Sequence, residues 1–293
     1  MSDFLYANDQ PGRYPASWYA QSIPEHPARP ALTDVISCDV CIIGAGFTGL
    51  SCALHLAQKG YHVIVLDAHR VGFGASGRNG GQVGSGYNQS QQTLEKTLGH
   101  DAAHQLWDMA QAAKSLTQDL AARHAPEAAI NPVSPKRTST QKTGPAATQR
   151  RIIWPGIMPM KRLIALTKRI SQISSNPHAM RGGLIDWGAG HLHPLRYALG
   201  LAIAAETAGA RIFENSAAIS VQDGPPSLVQ TAKGQLRASY VVHATNGYHS
   251  SLNPRQAAKV MPINNFLVAT EPLDRPQEVL SKPIAVADNR FVL

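Results

Sequence analysis

Three glycines, one aspartate and a dense run of small residues carry the chemistry for which this chain can be read. Gly44, Gly46 and Gly49 form a GxGxxG within DVCIIGAGFTGL, residues 39–50. The spacing suits a tight turn at Gly44, an opening at Gly46 where a side chain would block a pyrophosphate, and close helix–strand packing at Gly49. Phosphates held there would meet the free N–H groups and the dipole of a helix start. Glycine is common, so context has to carry the motif. An apolar run (Val40 to Ile43) precedes it, helical spacing (Leu50, Ala53, Leu54, Ala57) follows, and Gly60 leads into a second strand, Tyr61 to Leu66. Asp67 ends that strand, eighteen residues after Gly49, and is placed to accept hydrogen bonds from a ribose hydroxyl. A ligand-free βαβ crossover is the plainer alternative.

A second glycine-rich passage, VGFGASGRNGGQVGSG, runs from Val71 to Gly86. It interleaves Ser76, Arg78, Asn79 and Gln82 with more glycines than one turn uses. Bare backbone amides with one arginine make a bed for a pyrophosphate or a flavin edge, and a flexible surface loop is the alternative. Farther on, a buried strand from Leu236 to His243 opens into ATNGY, residues 244–248, another place where backbone can approach a ligand. Cys38 and Cys41 form a CxxC, but no second ligand pair accompanies it and the strand runs through it. Buried thiols in a reducing compartment, hence a cytoplasmic location, are expected rather than a metal or redox centre.

The elements that must position these groups follow from periodicity. Residues 1–36 form a polar, proline-broken lead-in whose Tyr14, Trp18 and Tyr19 can pack onto the body. The start has neither a basic region nor an apolar run, so no secretory signal is expected, and no window is apolar enough for a membrane span. Gln89 to Arg123 is helical in pattern, with Leu94, Leu98, Leu106, Met109, Ala113, Leu116 and Leu120 expected as core positions of two helices divided at Gly99. Asp186 to Gly190 reads as a loop and Pro194 opens a helix with Leu195, Leu199 and Ile203 on its apolar face, ended by Gly209. Strands are expected at Arg211–Phe213, Ala217–Val221 and Ser227–Thr231, with a Lys233-Gly234 turn before the Leu236 strand. Met261–Thr270 and Ile284–Leu293 read as strands of a different sheet.

The net charge of +8 would suggest a nucleic-acid or membrane partner if it were spread evenly. It is not. Ala128 to Ile185 contains no Asp or Glu and ten of the 27 basic residues, which leaves 17 basic against 19 acidic elsewhere, a net of −2. The basic stretch lacks the aromatic interleaving or helical spacing of a nucleic-acid face, so no such partner is expected. It also lacks any apolar period between Pro126 and about Lys168, in a place where a compact protein rarely carries a long structureless segment.

Taken together, DVCIIGAGFTGLSCALHLAQKG, VIVLDAHRVGFGASGRNGGQ, GGLIDWGAGHLHPL and VVHATNGY resemble the FAD-dependent amine and amino-acid oxidoreductases of the D-amino-acid oxidase superfamily, nearest to the members that oxidise gamma-glutamylputrescine. The resemblance covers about residues 14–125 and 170–293. It implies an α/β fold, a Rossmann-like FAD-binding domain (37–90 and 186–250) with a second, mixed-sheet substrate domain (91–185 and 251–293), incomplete here because the family's chain runs beyond the strand matching 285–293. FAD is the implied cofactor. Gly44, Gly46 and Gly49 would bind its pyrophosphate and Asp67, where many relatives have Glu, its ribose. Ala75, Ser76, Arg78 and Asn79 would lie along the pyrophosphate, and Gly80, Gly81 and Gln82 near the isoalloxazine. Ala218 matches a backbone contact to adenine, and Ala244, Thr245 and Gly247 a flavin-proximal strand end.

The implied reaction is oxidation of a C–N bond of a small amine or amino acid, gamma-glutamylputrescine first, by hydride transfer to flavin N5, with O2 or another acceptor reoxidising the flavin. Sarcosine, glycine or D-amino-acid oxidation is the alternative within flavoenzymes, and a catalytically inactive fragment the alternative outside them. The cofactor carries such chemistry, so no triad is expected. His191 and His193 are the candidate polar groups near substrate, with hydrogen bonding to loop backbone an equal reading.

Relatives have a strand and an acidic amphipathic helix where this chain is acid-free, while the flanks stay nearly in register. Translation of about residues 130–168 in a shifted frame would remove both the carboxylates and the periodicity. The coding DNA should then restore an acidic, periodic helix in an alternative frame, and overturns the idea if neither frame does.

Overall fold

The structure, a computed structural model, describes residues 9–128, 131–132, 163–166, 183–186, 188–248, 252–263 and 265–275. The segment expected to be anomalous, most of 130–168, and the strand expected at 284–293 lie largely or wholly outside them. Contacts divide the chain into two units: Met1–Gly80, Leu120–Ala128 and His193–Ala269 form one, and Gly81–Asp119, Ala129–Leu192 and Thr270–Leu293 the other.

In chain order, a single turn α1 (Trp18–Gln21), capped by the Ser17 hydroxyl, precedes β1 (Val35–Ile43) and α2 (Phe47–Gln58). β1 is β-branched and becomes continuously buried over Val40–Ile43, as a strand covered on both faces must. β2 (Val63–Leu66) is wholly buried and starts two residues later than the apolar run suggests, because Tyr61 and His62 are exposed. β3 (Gln82–Val83), α3 (Gln91–Leu98), α4 (His100–His124), β4 (Asn131–Pro132), β5 (Leu163–Leu166), β6 (Gly183–Asp186) and β7 (Gly190–His191) follow. α5 (Pro194–Thr207), β8 (Arg211–Phe213), β9 (Ser220–Gln222), β10 (Ser227–Gln230), β11 (Gln235–His243) and α6 (Pro254–Ala257) complete the described elements.

The first unit holds a six-stranded sheet in the order β8-β2-β1-β11-β10-β9. The strands from β8 to β11 are mutually parallel, and β10 and β9 continue the sheet antiparallel. This parallel-dominated mixed sheet bears out the expected α/β class. α2 and α5 pack against each other, with Leu50, Ala53, Leu54 and Ala57 buried on α2 and Leu195, Ala198, Leu199, Leu201 and Ala202 on α5. Cys41, Ile43, Ile64, Leu66, Leu236 and Ala238 form a core cluster within the sheet, to which Ala218 adds from outside any strand. The strand expected at Ala217–Val221 is thus later and shorter, at β9.

Two features fix the start of α2. Gly44 has φ +111, and a Cβ there would lie 2.5 Å from the Ala244 carbonyl oxygen at the end of β11. A Cβ on Gly49 would overlap the Gly44 carbonyl itself. The helix leaves β1 at a distance that only hydrogen at both positions allows.

The second unit contains the antiparallel sheet β3-β7-β4 and the antiparallel pair β5-β6. The Asp186–Gly190 loop is shorter than expected, since Asp186 ends β6 and Gly190 begins β7.

Three apolar expectations fail. Ile203 is exposed: at about 100° per residue it lies roughly 80° round α5 from Leu195, on the narrow stripe it shares with Arg196 and Thr207, none of them buried. Leu98, Met109 and Leu116 are also exposed, and Ala103, Leu120 and Ala121 are the buried residues of α4. Met261–Thr270 forms no strand among its described residues; Met261, Phe266 and Val268 are exposed and no described strand pairs with the segment.

Gly49→Ala should cost about 3 kcal/mol of stability or more, because the obstacle is backbone rather than a movable side chain. The urea midpoint of the purified variant measures this, and an unchanged midpoint would contradict the close approach.

Candidate cofactor site

The N-terminus of α2 is pinned from the chain that follows β2. The Ala45 N–H donates to Asp67 Oδ2 at 2.7 Å, and the Phe47 N–H donates to Ser76 Oγ at 3.0 Å. The other carboxylate oxygen of Asp67 accepts from the His69 N–H at 2.8 Å. Burial pushes the Asp67 carboxyl up to about 6; the two amides pull it back and Glu214 adds a smaller upward push. It is therefore ionised at neutral pH, and each oxygen keeps a lone pair beyond the one its amide uses.

Gly46 caps α2 without a side chain, and no acidic residue lies in the first turn. The leading amides of a helix have no intrahelical partner, so this end suits an anionic ligand. Ser76 lies over the turn, with its Oγ 2.8 Å from where a Cβ on Gly46 would be. It sits in a 3₁₀ turn, Ala75–Gly77, closed by the Asn79 amide, which donates to the carbonyls of Ala75 and Ser76. At the end of β11 the Ala244 N–H donates to the Ile43 carbonyl, and Tyr248 N–H donates to Thr245 across a turn with Asn246 at φ 51. Gly44, Gly46, Gly49, Asp67, Ser76, Ala244 and Thr245 therefore converge. A mutually supporting, side-chain-free turn with an anion-ready helix end and a carboxylate beside it fits a dinucleotide.

Other expected residues lie elsewhere. Gly247 is near Pro262, and Ala218 packs in the sheet cluster beside Ile219, whose N–H donates to the Gln230 carbonyl. Arg78 is engaged by the Phe73 carbonyl and the Asp9 carboxylate. Gly80 is exposed and closes the first unit's second glycine passage. Gly81 and Gln82 belong to the second unit: the Leu192 N–H donates to the Gly81 carbonyl, and Gln82 is the register partner of His191. His191 is thus a strand residue, not a loop residue. His193 caps α5: its Nδ1 accepts from the Arg196 N–H at 3.2 Å, which puts the proton on Nε2, 2.9 Å from Ser22 Oγ. Ser22 donates onward to the Tyr19 carbonyl, and the imidazole packs against the Trp18 and Tyr19 rings. Burial, then the Arg196 charge, lowers its pKa. These contacts give His193 the structural role of the two considered.

What the sequence did not reveal is a buried charge cluster. Glu214, fully buried at 0% exposure, accepts from the N–H groups of Arg29 and Val71 at 2.8 and 2.9 Å and pairs with Arg70 Nε at 2.7 Å. Arg29 also grips Glu206 through two nitrogens at 2.6 and 2.8 Å. Nearby, burial pushes the Tyr14 phenol up to about 12. An acid directly after the apolar Arg211–Phe213 strand was the available sign. Its partners lie about 140 to 185 residues away in sequence, beyond the reach of local pattern.

A family model for "FAD dependent oxidoreductase" matches residues 39–292. The chain belongs to that family. FAD is the family's cofactor, and its members are oxidoreductases. The chain is 35% identical over 283 residues to the gamma-glutamylputrescine oxidoreductase of Escherichia coli K12, covering 95% of this chain and 66% of that one. It is 36% identical over 284 residues to the probable oxidoreductase OrdL of Rhizobium meliloti, covering 94% and 65%. It thus spans just under two thirds of these relatives' length. Among solved structures, glycine oxidase from Geobacillus kaustophilus shares the fold of this family member with a TM-score of 0.55, at 20% identity over 75% of this chain and 58% of that one. NikD, an amino acid oxidase, gives 0.53 at 22% identity over 74% and 53%. Among the described residues no helix is long and apolar enough to cross a membrane.

His193→Asn keeps a capping acceptor but does not titrate. Because the folded pKa of His193 is depressed, the unfolded state takes up its proton first as pH falls. The stability of the natural chain relative to His193→Asn should therefore drop as pH falls below about 6.5, and a difference constant from pH about 7 to about 5 would contradict the assigned tautomer.

Proposed function

We propose that the turn Gly44–Gly49, with Asp67, Ser76 and the end of β11, holds FAD, and that the protein oxidises the CH–NH group of a small amine, gamma-glutamylputrescine being the substrate to try first. The observation that carries the reading is the double pinning of the α2 start by Asp67 and Ser76. That pinning fixes the helix end in a chain of an FAD-dependent family. The substrate comes from the likeness to the Escherichia coli enzyme at 35% identity.

Bound FAD would supply the two-electron acceptor that amine oxidation requires, and O2 or another acceptor would regenerate it. The chain's part is recognition. The α2 amides face the pyrophosphate charge, and Asp67, ionised at neutral pH, accepts from ribose hydroxyls with its remaining lone pairs. Ala75 and Asn79 shape the bed beside Ser76, while Gly80, Gly81 and Gln82 stay assigned to the isoalloxazine by resemblance, as do Ala218 to adenine and Gly247 to the flavin. We assign residues 37–90 and 186–250 to cofactor binding and 91–185 and 251–293 to the substrate domain. Three free cysteines, with burial raising Cys38 to about 11 and Cys41 higher still, fit a reducing, cytoplasmic setting.

The purified 293-residue chain should show visible flavin bands near one equivalent per chain after incubation with FAD, and gamma-glutamylputrescine should bleach them without air. Absence of bands would sink the cofactor assignment. Bands that bleach with glycine, sarcosine or a D-amino acid instead would move the substrate class.

A further inference from the structure

The lead-in is fastened to the second glycine passage at several points. Arg78 Nη1 donates to Asp9 Oδ1 at 2.8 Å, the Gly12 N–H donates to His69 Nδ1 at 3.2 Å, and the Tyr14 hydroxyl donates to the Val71 carbonyl at 2.8 Å. Farther along, Arg70 Nη2 donates to the His26 carbonyl, and Glu214 joins the amides of Arg29 and Val71. Between Asp67 and Arg78 the regular structure is one 3₁₀ turn. No strand ladder holds this passage. Backbone bonds hold its first half, from the Gly72 N–H to the Ala45 carbonyl and from the Asn215 and Ser216 N–H groups to the His69 and Asp67 carbonyls, and side chains of the lead-in add to them.

Arg78 is the centre of the outermost fastening. Its Nε donates to the Phe73 carbonyl at 2.7 Å, its guanidinium lies 4.7 Å from the Phe73 ring centre, and that ring lies 4.1 Å from the His69 ring. Asp9 is 9% exposed at its side chain and Arg78 29%, so the pair is partly shielded from water. A carboxylate already seated on the guanidinium offsets the charge that a phosphate would seek.

We propose that Arg78 is a positioning residue: paired with Asp9, it latches residues 9–14 of the lead-in over the passage from Asp67 to Arg78, and this latch, not a guanidinium–phosphate contact, is its contribution to holding FAD. The inference rests on the FAD reading above. Ser76 pins the first glycine turn only while its own passage is in place, and apparent affinity falls in proportion to the fraction of chains in which it is. The lead-in then acts as part of the cofactor site without touching the cofactor.

The test is an FAD titration of the 293-residue chain, followed by flavin fluorescence, for the natural sequence, Asp9→Asn, Asp9→Glu, Arg78→Met and the Asp9→Asn/Arg78→Met double variant, with the melting temperature of each apoprotein. Each single loss should raise the FAD Kd by about fivefold, and the double variant no further, since both remove one interaction. Asp9→Glu should restore affinity, and apoprotein melting should move by no more than about 2 °C. An Arg78→Met effect far larger than that of Asp9→Asn would mean direct phosphate contact and overturn the latch. So would an unchanged Kd in Asp9→Asn, or an affinity loss matched by a collapse in apoprotein melting. A natural chain that binds no FAD would overturn the cofactor reading and the latch together, whereas binding that ignores Asp9 overturns the latch alone.

Discussion

The contact on which the first unit depends is the approach of the Gly49 α-carbon to the Gly44 carbonyl. It brings α2 down onto β1 so closely that no other residue fits at position 49. From it follow the burial of Leu50, Ala53 and Leu54 against α5 and the direction in which the leading amides of α2 point. The carbonyl of Ala244 closes the turn from the other side, with β11 in register beside β1 through the Ile43–His243 pair. A cradle built this way needs no polar side chains of its own. Its polarity is the helix end, and neighbouring segments supply the pins.

Those pins come from two chemically different sources. Asp67 and Ser76 act on the turn directly, through acceptors to backbone N–H groups. Glu214, itself fully buried, acts one step back, by pairing with Arg29 and Arg70 while accepting from two backbone amides. Burying a carboxylate is costly unless charge and hydrogen bonds both answer it, and here both do. The cluster thereby ties β8, the lead-in and the start of the second glycine passage to one point.

What was legible in the sequence is what local chemistry dictates. GxGxxG between an apolar run and a helical period gave the turn, and Asp67 fell where a strand of four buried residues must end. The parallel sheet followed from the βαβ order. Burial was less legible: Met109 and Leu116 repeat at helical spacing yet face solvent, because a period states which residues share a face and not whether anything covers it. His191 and His193 looked alike in HLHPL. A strand ladder claims one and a helix cap claims the other, a difference set by Gln82 and Arg196 rather than by the histidines. The lead-in was the largest gap, since Asp9, Tyr14 and Arg29 find partners that no periodicity links to them.

The position of Asp67 has a geometric consequence. Its side chain lies close enough to bond the Ala45 and His69 amides at once, one oxygen each. A carboxylate so divided is part of the turn's own framework, so any ligand that draws on its remaining lone pairs polarises the bonds that shape the turn. Its pKa near 6 follows from the same position: two amide donors leave part of the desolvation unanswered, and Glu214 adds repulsion. Two further donors, of the kind vicinal ribose hydroxyls offer, would answer that deficit and lower the pKa again. A ligand that donates to those oxygens is thus favoured here by the same burial that raises the carboxyl.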